Sequence, residues 1–456
     1  MARSLSQKER IVRRHLSNAL YGALDYISYP FGMLAVVPIV LHRLGTAEYG
    51  LWMVSTAVVS AGGIIAGGFG DAAIQRIAAL RGIGSSDLIA QAIRSLFGVS
   101  LMLGCILAIT VWIAAPYAAA HIVTQSIPLH EGVVCLRLAS ALILLRAVET
   151  VAVAAQRAFE EYRATVQASA AMRLTTLAFA ALAPILSLQT EGIMVATTII
   201  FALGTVLQFR LLRRVVGVIS LWPPLARYES RRFFATGIYV WLQATGSVIF
   251  RQLDRILLGM SLGAAAVTPY VVCIQMTEPL FGLTASSLSF FFPHLSECAS
   301  KLPSSAVRRS ILKATTCNIF LVAVGTVLLW IAGPYFLRIW AGHEVAARAP
   351  SILPLVLLGS AFSGISVTGT YAMQSFGQFR TVAAITLGTR SAFLFLMFYL
   401  LHRSGVHGLA FSRFFYGIAS LLVYIPLARV LRASRRQLEM NVASPMRAGI
   451  REGAQL

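Results

Sequence analysis

Charge is scarce in this chain, and lysine is scarcer still. Only 12% of the 456 residues are Asp, Glu, Lys or Arg, against about 25% in soluble globular domains. The three lysines, Lys8, Lys301 and Lys313, lie in no glycine-rich loop. No G-x-x-x-x-G-K-[ST] occurs, so an integral ATP motor is excluded. H-E-x-x-H is absent, and the G-x-S-x-G at Gly259-Met260-Ser261-Leu262-Gly263 joins two long apolar segments rather than a strand and a helix, so no nucleophile elbow is indicated. The five cysteines, Cys105, Cys135, Cys273, Cys298 and Cys317, are dispersed without C-x-x-C spacing. That pattern indicates neither a disulfide framework nor a metal site, and small buried apolar roles are expected. The eight histidines are scattered, several at expected helix ends such as His15, His42, His121, His130 and His402. No cofactor and no metal is expected.

Apolar sequence takes the place of charge. The chain is 57% apolar with mean hydropathy +0.76, and about twenty consecutive apolar residues span a bilayer as a helix. Twelve such segments recur, near 15–41, 50–69, 95–120, 132–156, 164–187, 191–211, 233–260, 264–292, 311–333, 350–374, 381–401 and 409–430. Barrel strands are short, alternating and weakly hydrophobic, so helices are favoured. The first apolar run is long enough to span and lacks a small-residue cleavage site, unlike a signal peptide. The reading is an all-α polytopic membrane protein with twelve transmembrane helices.

The net charge of +21 points to nucleic acid only if its location is ignored. Of the 38 basic residues, 27 fall in the tails and alternate loops, and four (Arg43, Arg338, Arg348, Arg403) fall on the opposite side. Seven lie inside spans. The positive-inside rule then places both termini in the cytoplasm, with the basic loops against anionic lipid headgroups. Nucleic-acid binding is rejected. Trp52, Trp112, Trp330 and Tyr335, near span ends, read as interfacial anchors.

The halves repeat. Trp112-Ile113-Ala114-Ala115-Pro116-Tyr117 returns 218 positions later as Trp330-Ile331-Ala332-Gly333-Pro334-Tyr335. Leu44-Gly45 returns as Leu262-Gly263, and Gln156 as Gln374. One residue out of phase, Tyr162-Arg163 matches Phe379-Arg380, and Arg173 matches Arg390. An ordered series of matches points to duplication, which in a hydrophobic chain is the pattern of a transporter with its pathway between two related bundles. The expected divisions are a basic tail (1–14), a first six-helix bundle (15–211), a cytoplasmic linker (212–232), a second six-helix bundle (233–430) and a polar tail (431–456). Trp222-Pro223-Pro224 marks the linker, since adjacent prolines disfavour a helix. Residues 71–94 are amphipathic enough to lie along the interface. Pro334 to Ala349 is the longest external stretch, at about sixteen residues.

Charge inside the membrane carries the functional signal, because an ionised group there costs several kcal/mol unless it faces a cavity or a partner. Seven arginines and four carboxylates are so placed. Arg146, Arg173, Arg251, Arg255, Arg390 and Arg413 are candidates for a cationic cargo site, since arginine stays protonated and forks onto phosphate oxygens. Arg137 is the seventh arginine. Asp25, Glu149 and Glu278 are candidates for ion coupling, because desolvation favours protonation of a mid-membrane acid. Asp25 leads them, as its counterpart at the 218 offset is the uncharged Gln243. Structural alternatives stand beside these: Arg146 or Arg173 could pair with Glu149, and Asp254-Arg255 could snorkel to the outer interface. Arg173 and Arg390 each follow a loop arginine, Arg163 and Arg380, by ten residues.

Three short motifs resemble one family. Leu44-Gly45-Thr46-Ala47-Glu48-Tyr49-Gly50-Leu51-Trp52 resembles the LG-x-x-x-YGL turn of bacterial polysaccharide transporters, members of the multidrug/oligosaccharidyl-lipid/polysaccharide exporter superfamily. Gln252-Leu253-Asp254-Arg255-Ile256-Leu257-Leu258-Gly259 is similar to its D-R/x-hydrophobic-G element, and Leu337-Arg338-Ile339-Trp340-Ala341-Gly342 to its L-x-x-W-x-G turn. The sequence departs from the family pattern at Thr268-Pro269-Tyr270 and at Gly377-Gln378. The resemblance, over residues 15–430, implies two homologous six-helix bundles around a central cavity that opens alternately inward and outward. It implies a polyprenyl-pyrophosphate-linked oligosaccharide as cargo, moved between leaflets of the inner membrane, with a polysaccharide polymerase and chain-length regulator as candidate partners. A drug or metabolite antiporter of the same fold is the rival; it would favour a carboxylate-rich cavity. A membrane polymerase or glycosyltransferase is a further alternative, though such enzymes typically carry a sizeable external loop. A purely structural scaffold would not need buried arginines.

Overall fold

A computed structural model of the chain describes residues 2–123, 126–217, 227–289 and 304–432. Among the described residues there are helices and turns and no strand. The helices are α1 (Ala2–Gly67), α2 (Gly70–Ile83), α3 (Ser86–Ile122), α4 (Leu129–Ala158), α5 (Tyr162–Leu182) and α6 (Thr190–Val216). Then come α7 (Arg227–Leu262), α8 (Ala264–Ser289), α9 (Ser304–Trp340), α10 (Gly342–Arg348), α11 (Leu353–Ser375) and α12 (Phe379–Ser420). A 3-10 turn, Leu421–Val423, leads into α13, residues 424–432. Among the described residues, each of the twelve predicted segments falls mainly on helix; residues 290–292 of the eighth lie outside them. Seven of the helical stretches are long and apolar enough by themselves to cross a membrane.

Two predicted pairs of spans share one helix across a kink. α1 bends at Gly45 (φ 83°, ψ 177°) and α12 at Gly405 (φ 56°, ψ −133°). Only glycine enters such backbone regions without a steric penalty. Left-handed positions also expose the duplication more clearly than residue identity does. Gly45 pairs with Gly263 (φ 82°) at offset 218, Glu160 (φ 66°) with Gly377 (φ 72°) at 217, and Ser187 (φ 59°) with Gly405 at 218. The other three left-handed positions, Gly84, Gly217 and Gly342, map onto residues outside the described ones. α3 and α9 are both 37 residues long, start 218 apart, and carry Pro116 and Pro334 inside the helix at matching places.

The turn after α4 repeats after α11 bond for bond. Glu160 N–H donates to Arg157 O at 3.0 Å and Glu161 N–H to Gln156 O at 3.1 Å. Gly377 N–H donates to Gln374 O at 2.9 Å and Gln378 N–H to Met373 O at 3.0 Å. This register sets Gln374 opposite Arg157, so the expected Gln156–Gln374 match is displaced by one residue. Backbone hydrogen bonding, not side-chain identity, defines the equivalence here.

The chain forms two compact units. The first comprises Met1–Val272 and Leu337–Ala347; the second comprises Cys273–Phe336 and Arg348–Leu456. In the first, α2 docks through Ala73, Ile77 and Leu80 onto Ile89, Ile93 and Leu96 of α3 and Val151 and Ala155 of α4. The predicted amphipathic stretch is thus two helices broken at Gly84 (φ 78°), and its apolar face meets protein. Arg81 fastens α2 to the end of α4: it pairs with Glu160 at 2.7 Å and donates to Ala158 O at 3.2 Å. In the second unit, Val307 and Ile311 pack with Ala372, Met373, Val382, Val423 and Leu427. Asn318 Nδ2 donates to Gly364 O at 3.0 Å and Thr368 Oγ1 at 2.9 Å, while Tyr424 OH donates to Ile365 O at 2.7 Å.

Several local expectations change. Pro334 to Ala349 is helical almost throughout, and Leu337–Ala347 belongs to the first unit. Trp340 Nε1 donates to Leu34 O at 2.6 Å, so this turn is clasped by α1. Trp52 is buried, 3% exposed, with its ring edge-on to Tyr49, so it is a core residue and no interfacial anchor. Trp112 and Trp330, by contrast, are 50% and 49% exposed. The ends of the predicted linker are helical: Leu212 lies in α6 and Arg227 in α7. Trp222-Pro223-Pro224, Cys298 and the tail beyond Arg432 lie outside the described residues.

Candidate functional site

A stripe of small residues sets the depth of the first candidate arginine. Added Cβ atoms on Gly62, Gly63 and Gly67 of α1 would meet Ile143 Cδ1 at 2.5 Å, Arg146 Cδ at 2.9 Å and Thr150 Oγ1 at 2.6 Å. These α4 residues recur at three- and four-residue steps, so one helix face meets another with almost no side chain between them. Arg146 is thereby confined along its stem, and its guanidinium lies over the Phe201 ring of α6, 4.8 Å from the centroid. A ring face attracts a desolvated cation without neutralising it. Glu149 and Arg173 are half-buried in the same unit, and Arg146, Glu149 and Arg173 all hold interaction partners. Arg137 lies over Trp112 at 4.8 Å.

At the end of α7, Arg251 is exposed and Arg255 half-buried. Asp254 does not snorkel: it is 2% exposed and accepts the Tyr270 hydroxyl of α8 at 2.8 Å. Burial selects a hydrogen-bonded carboxylate over a solvated one. The departure from the family motif also acquires a structural role, because Thr268 Oγ1 donates to Thr46 O at 2.6 Å. Thr268 and Tyr270 together tie α8 to the α1 kink and to α7.

In the second unit, Arg390 and Arg413 are half-buried with partners, and Glu278 is exposed on α8. Arg413 sits where two helices touch through glycine, since a Cβ on Gly359 would lie 2.8 Å from Arg413 O. Arg173 and Arg390 each lie thirteen residues beyond the equivalent left-handed positions Glu160 and Gly377. They therefore occupy the same place in the two repeats, about 16 Å along helices that start at equivalent residues. Asp25 lies on α1, its side chain outside the described residues.

Two polar groupings escaped the sequence reading. Gln156, Thr165, Ser169 and Gln208 form a buried network. Gln156 Nε2 donates to Gln208 Oε1 at 2.9 Å, Thr165 Oγ1 to Gln156 Oε1 at 2.9 Å, and Gln208 Nε2 to Ser169 Oγ at 3.1 Å. It joins α4, α5 and α6. Glu48 and Glu131 are likewise buried, 8% and 1% exposed. Glu48 stood inside a recognised motif but read only as a turn residue, and nothing in the spacing joins positions 48, 131 and 190.

A multi-pass membrane protein, helical through its described residues, with a duplicated helical plan and charges inside its spans is the class these features define. Its fold matches that of a multidrug resistance MATE family transporter of the MOP superfamily in its inward-facing conformation, with TM-score 0.68 at 14% identity over 92% of this chain and 96% of that one. It matches the lipid II flippase MurJ, inward closed conformation, with TM-score 0.65 at 14% identity over 92% of this chain and 87% of that one. Residues 18–299 match the family described as polysaccharide biosynthesis protein, and the chain belongs to that family. The uncharacterized membrane protein EpsK of Bacillus subtilis (strain 168) is 27% identical over 190 residues, 41% of this chain. That match spans 37% of the EpsK chain, well under two thirds of its length.

Proposed function

We propose that the protein is a flippase that carries a polyprenyl-pyrophosphate-linked oligosaccharide repeat unit from the cytoplasmic to the periplasmic leaflet of the inner membrane by alternating access. Both termini are cytoplasmic in this reading, and an ion gradient drives the cycle. The observation that carries it is the equivalent placement of Arg173 and Arg390, one in each repeat, at a depth where charge is costly. Each repeat thereby offers one cation of the kind that forks onto phosphate oxygens. Arg146, Arg251, Arg255 and Arg413 are further contacts for phosphate or acidic sugars, and Asp25, Glu149 and Glu278 are candidate carriers of the coupling ion. Membership of a polysaccharide biosynthesis family and a fold shared with a lipid II flippase support this cargo class.

Loss of the protein should leave cell-surface polysaccharide sites undecorated while lipid-linked repeat units accumulate facing the cytoplasm. Accumulation of flipped but unpolymerised units would refute the proposal and favour a polymerase. Within the flippase, Arg390→Lys should weaken transport by losing the bidentate fork and Arg390→Ala should weaken it further. Normal transport by a folded, inserted Arg390→Ala protein would remove the cationic site. Asp25→Asn should abolish gradient-dependent transport while leaving cargo binding intact; wild-type rates would take Asp25 out of the cycle. A drug antiporter of the same fold is the second reading, favoured by the MATE likeness. It predicts export of a cationic drug in which Arg390 plays no part.

A further inference from the structure

Two acids at the start of α6 do work that the sequence did not assign. The N-cap residue of α6, Gln189, makes no side-chain cap, yet the amides of the first turn have acceptors. Thr190 N–H donates to Glu48 Oε2 at 3.2 Å, and Glu191 N–H donates to Glu131 Oε1 at 3.3 Å. Thr190 Oγ1 adds a bond to Glu48 O at 3.0 Å. Consecutive amides of one turn hold their acceptors side by side, and the Glu48 and Glu131 carboxyls lie within hydrogen-bonding reach of each other. The second oxygen of Glu131, Oε2, is buried and meets no protein donor among the described residues.

The surroundings do not relieve this contact. The charges that act on Glu131 come from Glu48 and Glu191, both acidic. Cys135 lies one turn further along α4 and feels the same three carboxyls. The end of α3 packs Ala119 and Val123 against Gly132. Its His121 is exposed, with Nδ1 2.9 Å from the Tyr117 carbonyl of its own helix, and His130 is exposed beside Glu131. No group of acids, histidines or cysteines suited to a metal ion exists among the described residues. A helix N-terminus favours negative charge, but two buried carboxylates in contact cannot both ionise cheaply. A proton resolves both problems, converting an acceptor–acceptor contact into an O–H···O bond.

We propose that Glu48 and Glu131 form a binding site for a single proton, held between their two carboxyls on the first turn of α6. Glu48 belongs to the turn that begins at Gly45. In that turn Thr46 O takes the Thr268 hydroxyl, and Thr46 Oγ1 lies 3.2 Å from Glu344 Oε1. Loss of the proton sets two anions against each other and loosens Glu48 from Thr190. The turn holding α6, α8 and α10 together thereby responds to proton concentration at its own end of the molecule. Use of the proton as a transport ion rests on the transporter reading; its binding does not.

Infrared spectroscopy of the purified full-length protein in nanodiscs tests this without any cargo. At neutral pH the wild type should show a protonated carboxyl C=O band that shifts in D2O. Glu48→Gln and Glu131→Gln should each remove intensity from it, while Glu191→Gln leaves it unchanged. A wild type without the band, or one whose band is undiminished by either of the first two substitutions, overturns the shared proton; intensity from other buried acids is common to all the variants. Glutamine preserves size and can donate to the remaining carboxylate, so the fold is retained. The unfolding temperature gives a second readout. A proton bound more tightly when folded makes wild-type stability fall as pH rises through its release, and Glu131→Gln should flatten that slope. A wild-type profile as flat as the variant's also overturns the site. Failure of cargo transport alone, with the band intact, would count against the flippase and leave the proton site standing.

Discussion

Gly50 tests the packing of the motif turn against α8. A Cβ added there would run into the carbonyl oxygen of Ala264 and lie 2.5 Å from its carbonyl carbon and 3.2 Å from its Cα. The obstacle is backbone at the first residue of α8, so no side-chain rotation relieves it. Insertion of a methyl into a packed site costs about 1–3 kcal/mol. A clash with main chain that is also anchored by the Thr268–Thr46 bond belongs at the upper end, about 3 kcal/mol. For a unit of this size that lowers the unfolding temperature by roughly 6 °C. Buried Cys135 and Cys273 are free thiols and report unfolding to a thiol-reactive dye, while exposed Cys317 contributes only to the baseline. Gly82→Ala is the control: a Cβ there meets nothing within 4 Å, and a helical Gly→Ala should gain up to about 1 kcal/mol. An unfolding temperature for Gly50→Ala equal to that of the wild type or of Gly82→Ala would refute the close approach of this turn to α8.

Two further outcomes follow from the polar core and from the charge pattern. Gln156→Ala strips the buried Gln208 amide oxygen of its partner, at about 1–3 kcal/mol for a group left unsatisfied, while the Thr165 hydroxyl keeps the Glu161 carbonyl at 2.7 Å. Thermal denaturation should show a loss of that size, no larger than for Gly50→Ala, and a shift near zero would mean that water replaces the glutamine. A reporter active only in the periplasm, fused after Arg436, should be silent if the proposed orientation, drawn from the basic excess, holds; strong activity would reverse it.

The amino-acid sequence by itself determined the class of this molecule. Its hydropathy and its poverty in charge specify helices in a bilayer, where every backbone amide must be bonded within its own helix. Its ordered repeats, including Leu44-Gly45 with Leu262-Gly263 and Pro116 with Pro334, announced the duplication because helix starts, kinks and caps are written in local residues. Arg146, Arg173 and Arg390 were visible as candidates for the same reason: a charge inside an apolar run stands out in one dimension. Tertiary structure alone decided what those side chains meet. Phe201 under Arg146, Tyr270 on Asp254, Tyr49 against a buried Trp52, and the joining of Glu48 and Glu131 at Thr190 and Glu191 all depend on helix faces meeting. A helical period of 3.6 residues tells which face of one helix is apolar, but it carries no information about which other helix covers it. That is why the acids at positions 48 and 131, each ordinary in its own segment, became a site only when the fold brought them to the first turn of α6.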